Sequence, residues 1–119
     1  MLAFTWVPTN DLPAATAFYD AVFADLGAQR AATTERLVSW STGSSLFGVI
    51  TPIDGKPATV GNGSTVGLRM ASTELIDSVY AKAMALGATD EGEPGLRWYG
   101  YAAYFRDLDG NKLCLTHTG

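Results

Sequence analysis

The sequence predicts an α+β fold built from two related halves, and three observations support this. Short segments rich in β-branched and aromatic residues alternate with two stretches whose apolar residues recur every three or four positions. Residues 25–28 (Asp-Leu-Gly-Ala) recur at 85–88 as Ala-Leu-Gly-Ala, 60 positions later (85 − 25). Residues 42–46 match residues 109–113 more weakly, 67 positions later (109 − 42). Each half therefore consists of a strand, a helix and two or three further strands.

The first half, module 1 at about residues 1–57, opens with a strand predicted over residues 2–9. Asn10 and Asp11 then supply side-chain oxygens that can cap a helix, and Gly27 ends that helix. The apolar face of the helix consists of Leu12, Ala15, Phe18, Val22 and Leu26. Further strands are predicted at residues 33–34, 37–41 and 45–51, with a turn at 42–44 and a linker over 53–63.

Module 2, at about residues 58–119, repeats this order, beginning with a strand predicted over residues 64–70. A helix follows, capped by Ser72 or Thr73 and ended by Gly87. Its expected buried positions are Leu75, Val79, Ala83 and Leu86. Residues 91–95 are predicted as a loop, and two last strands are predicted at 101–106 and 112–118 around a tight turn at 107–111.

Composition excludes several classes of protein. The net charge is −4 with no run of Lys or Arg, so we expect no nucleic-acid partner. No apolar run approaches the length of about 20 residues that spans a bilayer, and the N-terminal segment does not resemble a signal peptide. We therefore expect no membrane association and a cytoplasmic location. The single Cys excludes an internal disulfide framework and any multi-cysteine metal site.

The two halves are expected to depend on each other. Each has roughly 60 residues, which is too few to bury a sheet comfortably alone. Two such units packed together can enclose a cleft in which a small ligand is desolvated. The sequence therefore predicts one domain over residues 1–119 rather than two independent ones.

A series of short motifs runs through both halves. They lie at residues 10–12, 17–20 and 26–27, then at 87–88 and 95–97, and most distinctively at 101–111, which reads Tyr-Ala-Ala-Tyr-Phe-Arg-Asp-Leu-Asp-Gly-Asn. Their order resembles that of the vicinal oxygen chelate superfamily, which contains glyoxalase I, bleomycin-resistance proteins and extradiol dioxygenases. The family commonly has Asp-Pro-Asp-Gly-Asn at the last turn, where Leu108 replaces the proline here. The resemblance implies paired βαβββ modules, a U-shaped mixed sheet around a cleft, and a homodimer.

The resemblance also implies where a metal would bind. Catalytic members carry His or Glu on the first and last strands of each module, and these positions correspond to Phe4 and Phe47 in module 1 and to Thr65 and Cys114 in module 2. None of these is an imidazole or a carboxylate. The single His, His117, is expected on the strand face opposite Cys114. We therefore expect no metal and no cofactor, which argues against glyoxalase I and extradiol dioxygenase activities.

Aromatic side chains are expected to take the place of the metal site. Phe4 and Trp6 alternate onto one face of the first strand, and Phe47 joins them if the repeat holds. The aromatic residues before the last hairpin are Trp98, Tyr99, Tyr101 and Tyr104. Aromatics at former ligand positions favour a flat or apolar ligand, with the tyrosine hydroxyls as polar contacts. The alternative is that these residues pack in the core or at a dimer interface.

Polar residues leave further alternatives open. Arg69 shares a strand face with Thr65, so its guanidinium either binds a carboxylate or phosphate or lies in solvent. Cys114 is interpreted as a small buried residue rather than as a nucleophile. Glu91 and Glu93 are interpreted as solvated loop carboxylates, with a general base as the alternative.

The sequence thus favours a metal-free small-molecule-binding protein whose ligand lies in the cleft between the modules. The predicted ligand-binding residues are Phe4, Trp6, Phe47, Thr65, Arg69, Trp98, Tyr101, Tyr104 and Cys114. The metal-independent bleomycin-resistance proteins are the nearest functional analogy, and their acidic character suits a cationic drug. One alternative is a metal-independent lyase or isomerase acting on a carbonyl-bearing molecule, with Glu91, Glu93, Tyr104 or Arg69 transferring the proton. Another is a non-catalytic interaction module whose cleft is filled by its own side chains.

Overall fold

Each half of the chain forms one helix and one four-stranded sheet. The computed structural model describes residues 1–41 and 43–118, so Thr42, the first residue of the predicted turn, and Gly119 lie outside the description. Two compact units are present, Met1–Val60 and a second that begins at Gly61. Each sheet mixes parallel and antiparallel pairing. The predicted α+β fold of two βαβββ modules is therefore confirmed.

The first unit begins with a strand that pairs with the last strand of the same unit. Its elements are β1 (Phe4–Pro8), α1 (Leu12–Phe23), a 3-10 helix (Ala24–Leu26), β2 (Gln29–Thr33), β3 (Leu37–Ser41) and β4 (Leu46–Ile50). The strand order is β1-β4-β3-β2, with β1 parallel to β4 and the other pairs antiparallel.

The second unit repeats this topology. Its elements are β5 (Val66–Arg69), α2 (Thr73–Ala85), β6 (Thr89–Arg97), β7 (Gly100–Arg106) and β8 (Lys112–His117). The strand order is β5-β8-β7-β6, with β5 parallel to β8. In the part of the chain that the structure describes, neither helix is long and apolar enough to cross a membrane.

The predicted loop at residues 91–95 was wrong, because these residues belong to β6. β6 is an edge strand, so the missing N–H of Pro94 need not interrupt the sheet. The pairing with β7 shifts register on both sides of Gly92, which accommodates the irregular sequence.

The predicted helix caps are confirmed. An Asp11 carboxylate oxygen accepts from the Ala14 amide at 3.0 Å, and the Ser72 hydroxyl accepts from the Leu75 amide at 3.1 Å. Gly27 has φ +70°, the left-handed conformation that ends a helix without a Cβ clash. The α-helical hydrogen bonding of α1 ends at Phe23, and the remaining predicted turn is the 3-10 helix.

The predicted buried face of α2 was partly wrong. Val79 and Ala83 are fully buried as expected, but Ile76 occupies the third buried position. Leu75 is only half-buried and Leu86 is 40% exposed. Ile76, Val79 and Ala83 follow the spacing of three and four residues that one helix face requires, so the apolar stripe is displaced by one residue from Leu75.

Four buried aromatic rings hold α1 against its sheet. Tyr19 and Phe23 project from the helix, and Trp40 and Phe47 project from the sheet. The Phe47 ring centroid lies 4.9 Å from that of Tyr19 and 5.4 Å from that of Phe23. All four side chains are at most 2% exposed, so this cluster forms the core of the first unit.

A polar contact closes the edge of this core. The Asp20 carboxylate accepts from the buried Trp40 indole Nε1 at 2.9 Å and from Arg30 Nε at 3.0 Å and Nη2 at 2.8 Å. The Arg30 hydrogen bonds, helped by that of Trp40, hold the pKa of Asp20 below its ordinary value.

The second unit has a contact at the equivalent positions, 60 residues later (80 − 20 and 90 − 30). There the Tyr80 hydroxyl donates to Asp90 at 2.7 Å. Burial and the Asp90 contact raise the pKa of Tyr80 to about 12.

We expect the Asp20→Ala substitution to lower the free energy of unfolding by about 1–3 kcal/mol, because it leaves the buried Trp40 N–H without an acceptor. The matched Arg30→Ala substitution removes exposed contacts, namely the ion pair with Asp20, the hydrogen bond to Thr33 and the contact over the Trp40 ring, and should cost at most about 1 kcal/mol. Urea denaturation of both variants at neutral pH measures the difference. The pKa of Asp20 is lower in the folded protein than its ordinary value of 3.8. Its contribution to the free energy of unfolding is therefore present above pH 3.8 and is lost as the pH falls through the folded-state pKa. Equal losses in the two variants would contradict this assignment.

Candidate functional site

Each sheet has one face covered by its helix and one that its helix does not cover, which we call the helix-free face. On the first sheet, Phe47 lies on the covered face with Tyr19 and Phe23. Because side chains alternate along a strand, the register then places Phe4, Trp6, Leu46 and Gly48 on the helix-free face. The exposed aromatic ring of Phe4 therefore lies on this face.

Two aromatic rings and a glycine form an aromatic platform on the first sheet, consisting of Phe4, Trp6 and Gly48. The Phe4 and Trp6 rings are stacked, with centroids 4.4 Å apart and planes inclined by 23°. A Cβ at Gly48 would lie 2.6 Å from Cε3 of Trp6. Only glycine at this position therefore lets the indole lie against β4. Phe4 is 52% exposed, so the platform presents apolar surface.

The prediction that Phe47 joins Phe4 and Trp6 was wrong. Phe47 pairs with Thr5 across the sheet and lies under α1, 2% exposed. Gly43 and Gly110 correspond in the two turns, so Phe47 was matched to Cys114, four positions after each glycine. However, two residues (44–45) separate Gly43 from β4, whereas one (111) separates Gly110 from β8. This difference of one residue places the counted position on the opposite face of β4.

The second sheet has small residues side by side on its helix-free face. Gly67 pairs with Cys114, which pairs with Tyr104, and in the next row Thr116 pairs with Ala102. A Cβ at Gly67 would meet no other atom within 4 Å. We call Gly67, Ala102, Cys114 and Thr116 the small-residue floor. The larger side chains of Tyr104 and Arg69 stand beside it in the same rows.

Two tyrosines form a hydrogen-bonded pair beside the floor. The hydroxyls of Tyr99 and Tyr104 are hydrogen-bonded to each other, and the Tyr104 hydroxyl also contacts the Cys114 thiol. The bond to Tyr99, then burial, then the contact with Cys114 raise the pKa of Tyr104. Tyr104 therefore remains a protonated phenol across the physiological range and is available as a hydrogen-bond donor.

Positive charges surround the phenol pair. Lys112 Nζ lies 5.3 Å and Arg97 Cζ 5.7 Å from the centroid of the Tyr104 ring. Arg97 Nη1 donates to the carbonyls of Gly95, at 2.7 Å, and Ala102. Its Nη2 donates to the Glu93 carbonyl at 2.9 Å. These bonds fix the guanidinium but leave its charge uncompensated.

The remaining predicted residues are distributed unevenly. Thr65 is exposed, one residue before β5. Arg69 lies on the same face and its Nη1 is 3.4 Å from the Thr118 hydroxyl. Trp98 is 95% exposed at the turn between β6 and β7. Thus Thr65, Arg69, Tyr104 and Cys114 share the helix-free face of the second sheet, while Phe4 and Trp6 share that of the first.

Tyr101 does not belong to this face. Its hydroxyl donates to the Asp77 carboxylate of α2 at 2.6 Å, so its side chain is on the covered face. That bond raises the pKa of Tyr101. Tyr101 and Tyr104, both predicted to bind the ligand, therefore do not share a face, because they are three positions apart in a strand and point in opposite directions.

Sequence reasoning missed two cations of the site. Lys112 and Cys114 are two positions apart in a predicted strand, so the alternation of side chains would have placed them on one face. Arg97 could not be found in this way, because its segment was expected to be a loop. Glu91 was also misplaced, since it pairs with Arg106 Nε at 2.5 Å instead of lying free in a loop.

The residues at the implied metal positions do not fit a divalent metal. These positions carry two aromatic rings, Phe4 and Phe47, in the first unit, and one hydroxyl, Thr65, and one thiol, Cys114, in the second. The His117 Nδ1 atom lies 2.9 Å from the Met70 carbonyl. Within residues 1–41 and 43–118, no group of three or more His, Cys, Asp or Glu side chains is placed to hold a metal ion.

Comparison with known proteins agrees with the fold. The structure matches that of a glyoxalase/bleomycin resistance protein from Albidiferax ferrireducens T118 with 40% sequence identity and a TM-score of 0.92, over 98% of each chain. The lactoylglutathione lyase from Agrobacterium tumefaciens has 22% identity and a TM-score of 0.74, with 98% of this chain and 92% of that chain covered. The latter likeness shows the fold alone.

The sequence comparison gives the family. No curated protein matches the chain significantly. Residues 2–115 match the family model described as Glyoxalase/Bleomycin resistance protein/Dioxygenase superfamily. This match covers nearly the whole chain and includes both modules. The protein therefore belongs to the glyoxalase/bleomycin resistance protein/dioxygenase superfamily.

Proposed function

We propose that this protein binds a small apolar or aromatic molecule without the help of a metal ion. The observation that carries the proposal is the aromatic platform, in which Trp6 lies over Gly48 and stacks with Phe4. The proposal includes a homodimer in a cytoplasmic setting. These last two features rest on the family resemblance and on the composition.

The platform has the properties of a stacking surface. Aromatic pairs gain about 0.5–1.5 kcal/mol beyond the burial of their area, so a flat ligand gains by extending the Phe4–Trp6 stack. A glycine within a strand weakens that strand, and it commonly marks a place where another group approaches the backbone closely. At Gly48 the approaching group is the Trp6 ring. The first sheet therefore gives up local stability to hold an indole flat and partly exposed.

A metal-independent lyase or isomerase is the second candidate, because Tyr104 is a protonated phenol next to Lys112 and Tyr99. Such a phenol can donate a proton to the carbonyl oxygen of a substrate. A general base is less evident, since Glu91 is engaged by Arg106. Turnover that survives extensive chelation and is lost in Tyr104→Phe would favour this candidate over simple binding.

Ligand binding is expected to quench the fluorescence of Trp6. Trp98 is 95% exposed and Trp40 is 1% exposed, so a Trp98→Phe variant leaves Trp6 as the accessible indole. A screen of aromatic and aliphatic compounds against this variant should yield saturable quenching together with a raised melting temperature. A broad screen that gives neither signal would contradict the proposal.

The Gly48→Val substitution provides the matched control. A side chain at position 48 displaces the Trp6 ring, whose atoms lie within 3 Å of the added Cβ. We expect quenching by the same compounds to weaken at least about tenfold, the loss that about 1.4 kcal/mol represents. The Ala81→Val variant, which adds a side chain at an exposed position of α2, should keep its folding and its Trp6 stack. Unchanged binding in Gly48→Val would show that the platform is not the site.

Metal binding provides a separate test. Because the donor set does not fit, purified protein exposed to Zn²⁺, Ni²⁺ or Mn²⁺ and then passed through a desalting column should retain far less than one metal ion per chain. Elemental analysis measures the ratio. Ligand quenching should also be unchanged by EDTA. Retention of one tightly held ion per chain, or loss of quenching with EDTA, would contradict the metal-free proposal.

A further inference from the structure

We infer that the ligand is an organic anion, whose carboxylate or phosphate group binds over the small-residue floor beside Lys112 and Arg69. This inference rests on the proposed function, since it names the chemical class of the small molecule. It concerns the helix-free face of the second sheet alone. Three features of this face support the inference: its local charge, the open space at Gly67 and its hydrogen-bond donors.

Positive charge is concentrated on this face. The chain has eight basic residues and a net charge of −4. Four of the basic residues lie on the helix-free face of the second sheet or at its β6 edge: Arg69, Arg97, Arg106 and Lys112. The carboxylate of Glu91 pairs with Arg106. Three positive charges, those of Arg69, Arg97 and Lys112, therefore remain uncompensated on this face, although the protein as a whole is acidic.

The three remaining cations interact with neutral groups. Arg97 donates to backbone carbonyls, Lys112 lies over the Tyr104 ring, and Arg69 contacts the Thr118 hydroxyl. In the part of the chain that the structure describes, none of the three forms an ion pair. Neutral partners orient a cation without cancelling its field, so the face attracts an anion.

The floor leaves room for a ligand among these charges. Gly67 and Cys114 are neighbours in one row, and Arg69 and Thr116 are neighbours in the next. A Cβ at Gly67 would meet nothing within 4 Å, so the face is open at Gly67, whereas the neighbouring Cys114 is only 7% exposed. Lys112 lies on the same face of β8, two residues before Cys114. An anionic group over Gly67 therefore has Arg69 on one side and Lys112 on the other.

The phenol pair supplies a donor as well. Two hydroxyls share two protons, and one proton is used in the bond between Tyr99 and Tyr104. The Tyr104 hydroxyl also contacts the Cys114 sulfur, which is a weak hydrogen-bonding partner. An anionic oxygen is a much stronger acceptor than a thiol. A carboxylate or phosphate oxygen is thus the ligand atom that suits the remaining donor capacity.

The inferred ligand is negatively charged, whereas the acidic composition of the chain suggested a positively charged one. A net charge of −4 favours a cationic ligand only if the charge is spread evenly. The structure places several carboxylates of the second unit elsewhere: Asp77 contacts Tyr101, and Asp90 contacts Tyr80. Both contacts are on the α2 side of the sheet. The ligand-facing charge and the net charge therefore have opposite signs.

Four compounds that share a naphthalene ring but differ in charge test the inference. We would titrate the full chain by calorimetry with 2-naphthoate, 2-naphthyl phosphate, 2-naphthamide and 2-naphthylmethylamine. At least one of the two anions is expected to bind about tenfold or more tightly than the neutral amide, because hydrogen bonds to a charged acceptor are stronger than those to a neutral one. The ammonium compound should bind most weakly. The relative affinities of the two anions identify carboxylate or phosphate as the preferred group.

Substitutions locate the anion. Lys112→Gln and Arg69→Gln should each weaken binding of the preferred anion about five- to tenfold and leave 2-naphthamide unchanged. Lys56→Gln removes an equal charge from an exposed loop of the first unit and should have no effect. Gly67→Leu fills the floor without changing any charge and should abolish anion binding, with thermal melting as the check on folding.

Each failure has a distinct meaning. Equal binding of 2-naphthamide and both anions would overturn the anion site while leaving the proposed small-molecule function intact. Anion binding that Lys112→Gln, Arg69→Gln and Lys56→Gln reduce equally would overturn it too, because the attraction would then be a general charge effect. If none of the probes binds, the anion site is wrong, and the Trp6 quenching screen decides independently whether the proposed function fails with it.

Discussion

The packing of one helix onto one face of each sheet determines which side chains every strand offers to a ligand. Tyr19 and Phe23 bring Trp40 and Phe47 into the first core, and the alternation of side chains then leaves Phe4 and Trp6 on the other face. The same alternation in β7 separates Tyr101 from Tyr104. Because β-strand side chains alternate, a helix that occupies one face of a sheet fixes which side chains lie on the other face.

The helix-free faces of the two sheets have different chemistry on the same backbone plan. In the first unit, Gly48 removes a side chain so that Trp6 can lie flat. In the second unit, Gly67 and Cys114 keep the surface low while Lys112 and Arg69 stand beside it. The first face is apolar and the second is cationic. Duplication has thus provided two surfaces of equal geometry that differ in the kind of molecule, or part of a molecule, that each can contact.

Local signals in the sequence predicted the parts of the fold that depend on single residues. The caps at Asp11 and Ser72 and the left-handed turn at Gly27 follow from one side chain each, so they could be predicted. The site was only partly predictable. The face of Phe47 depends on one extra residue between Gly43 and β4, compared with Gly110 and β8, which no local pattern reveals. The position of Arg97 depends on an edge strand whose Pro94 argues against a strand until its pairing partner is known.

The contact between Asp20 and Arg30 and its counterpart between Tyr80 and Asp90 occupy equivalent positions but differ in charge. The first joins two full charges near the surface, whereas the second joins a neutral phenol to a carboxylate. Dissolved ions weaken an exposed ion pair, and they weaken a hydrogen bond from a neutral donor less. The two modules therefore have unequal sensitivity to ionic strength at the same structural joint. A duplicated fold can in this way acquire a helix–strand joint that responds to ionic strength in one half and responds less in the other, by exchanging two side chains and without moving the backbone.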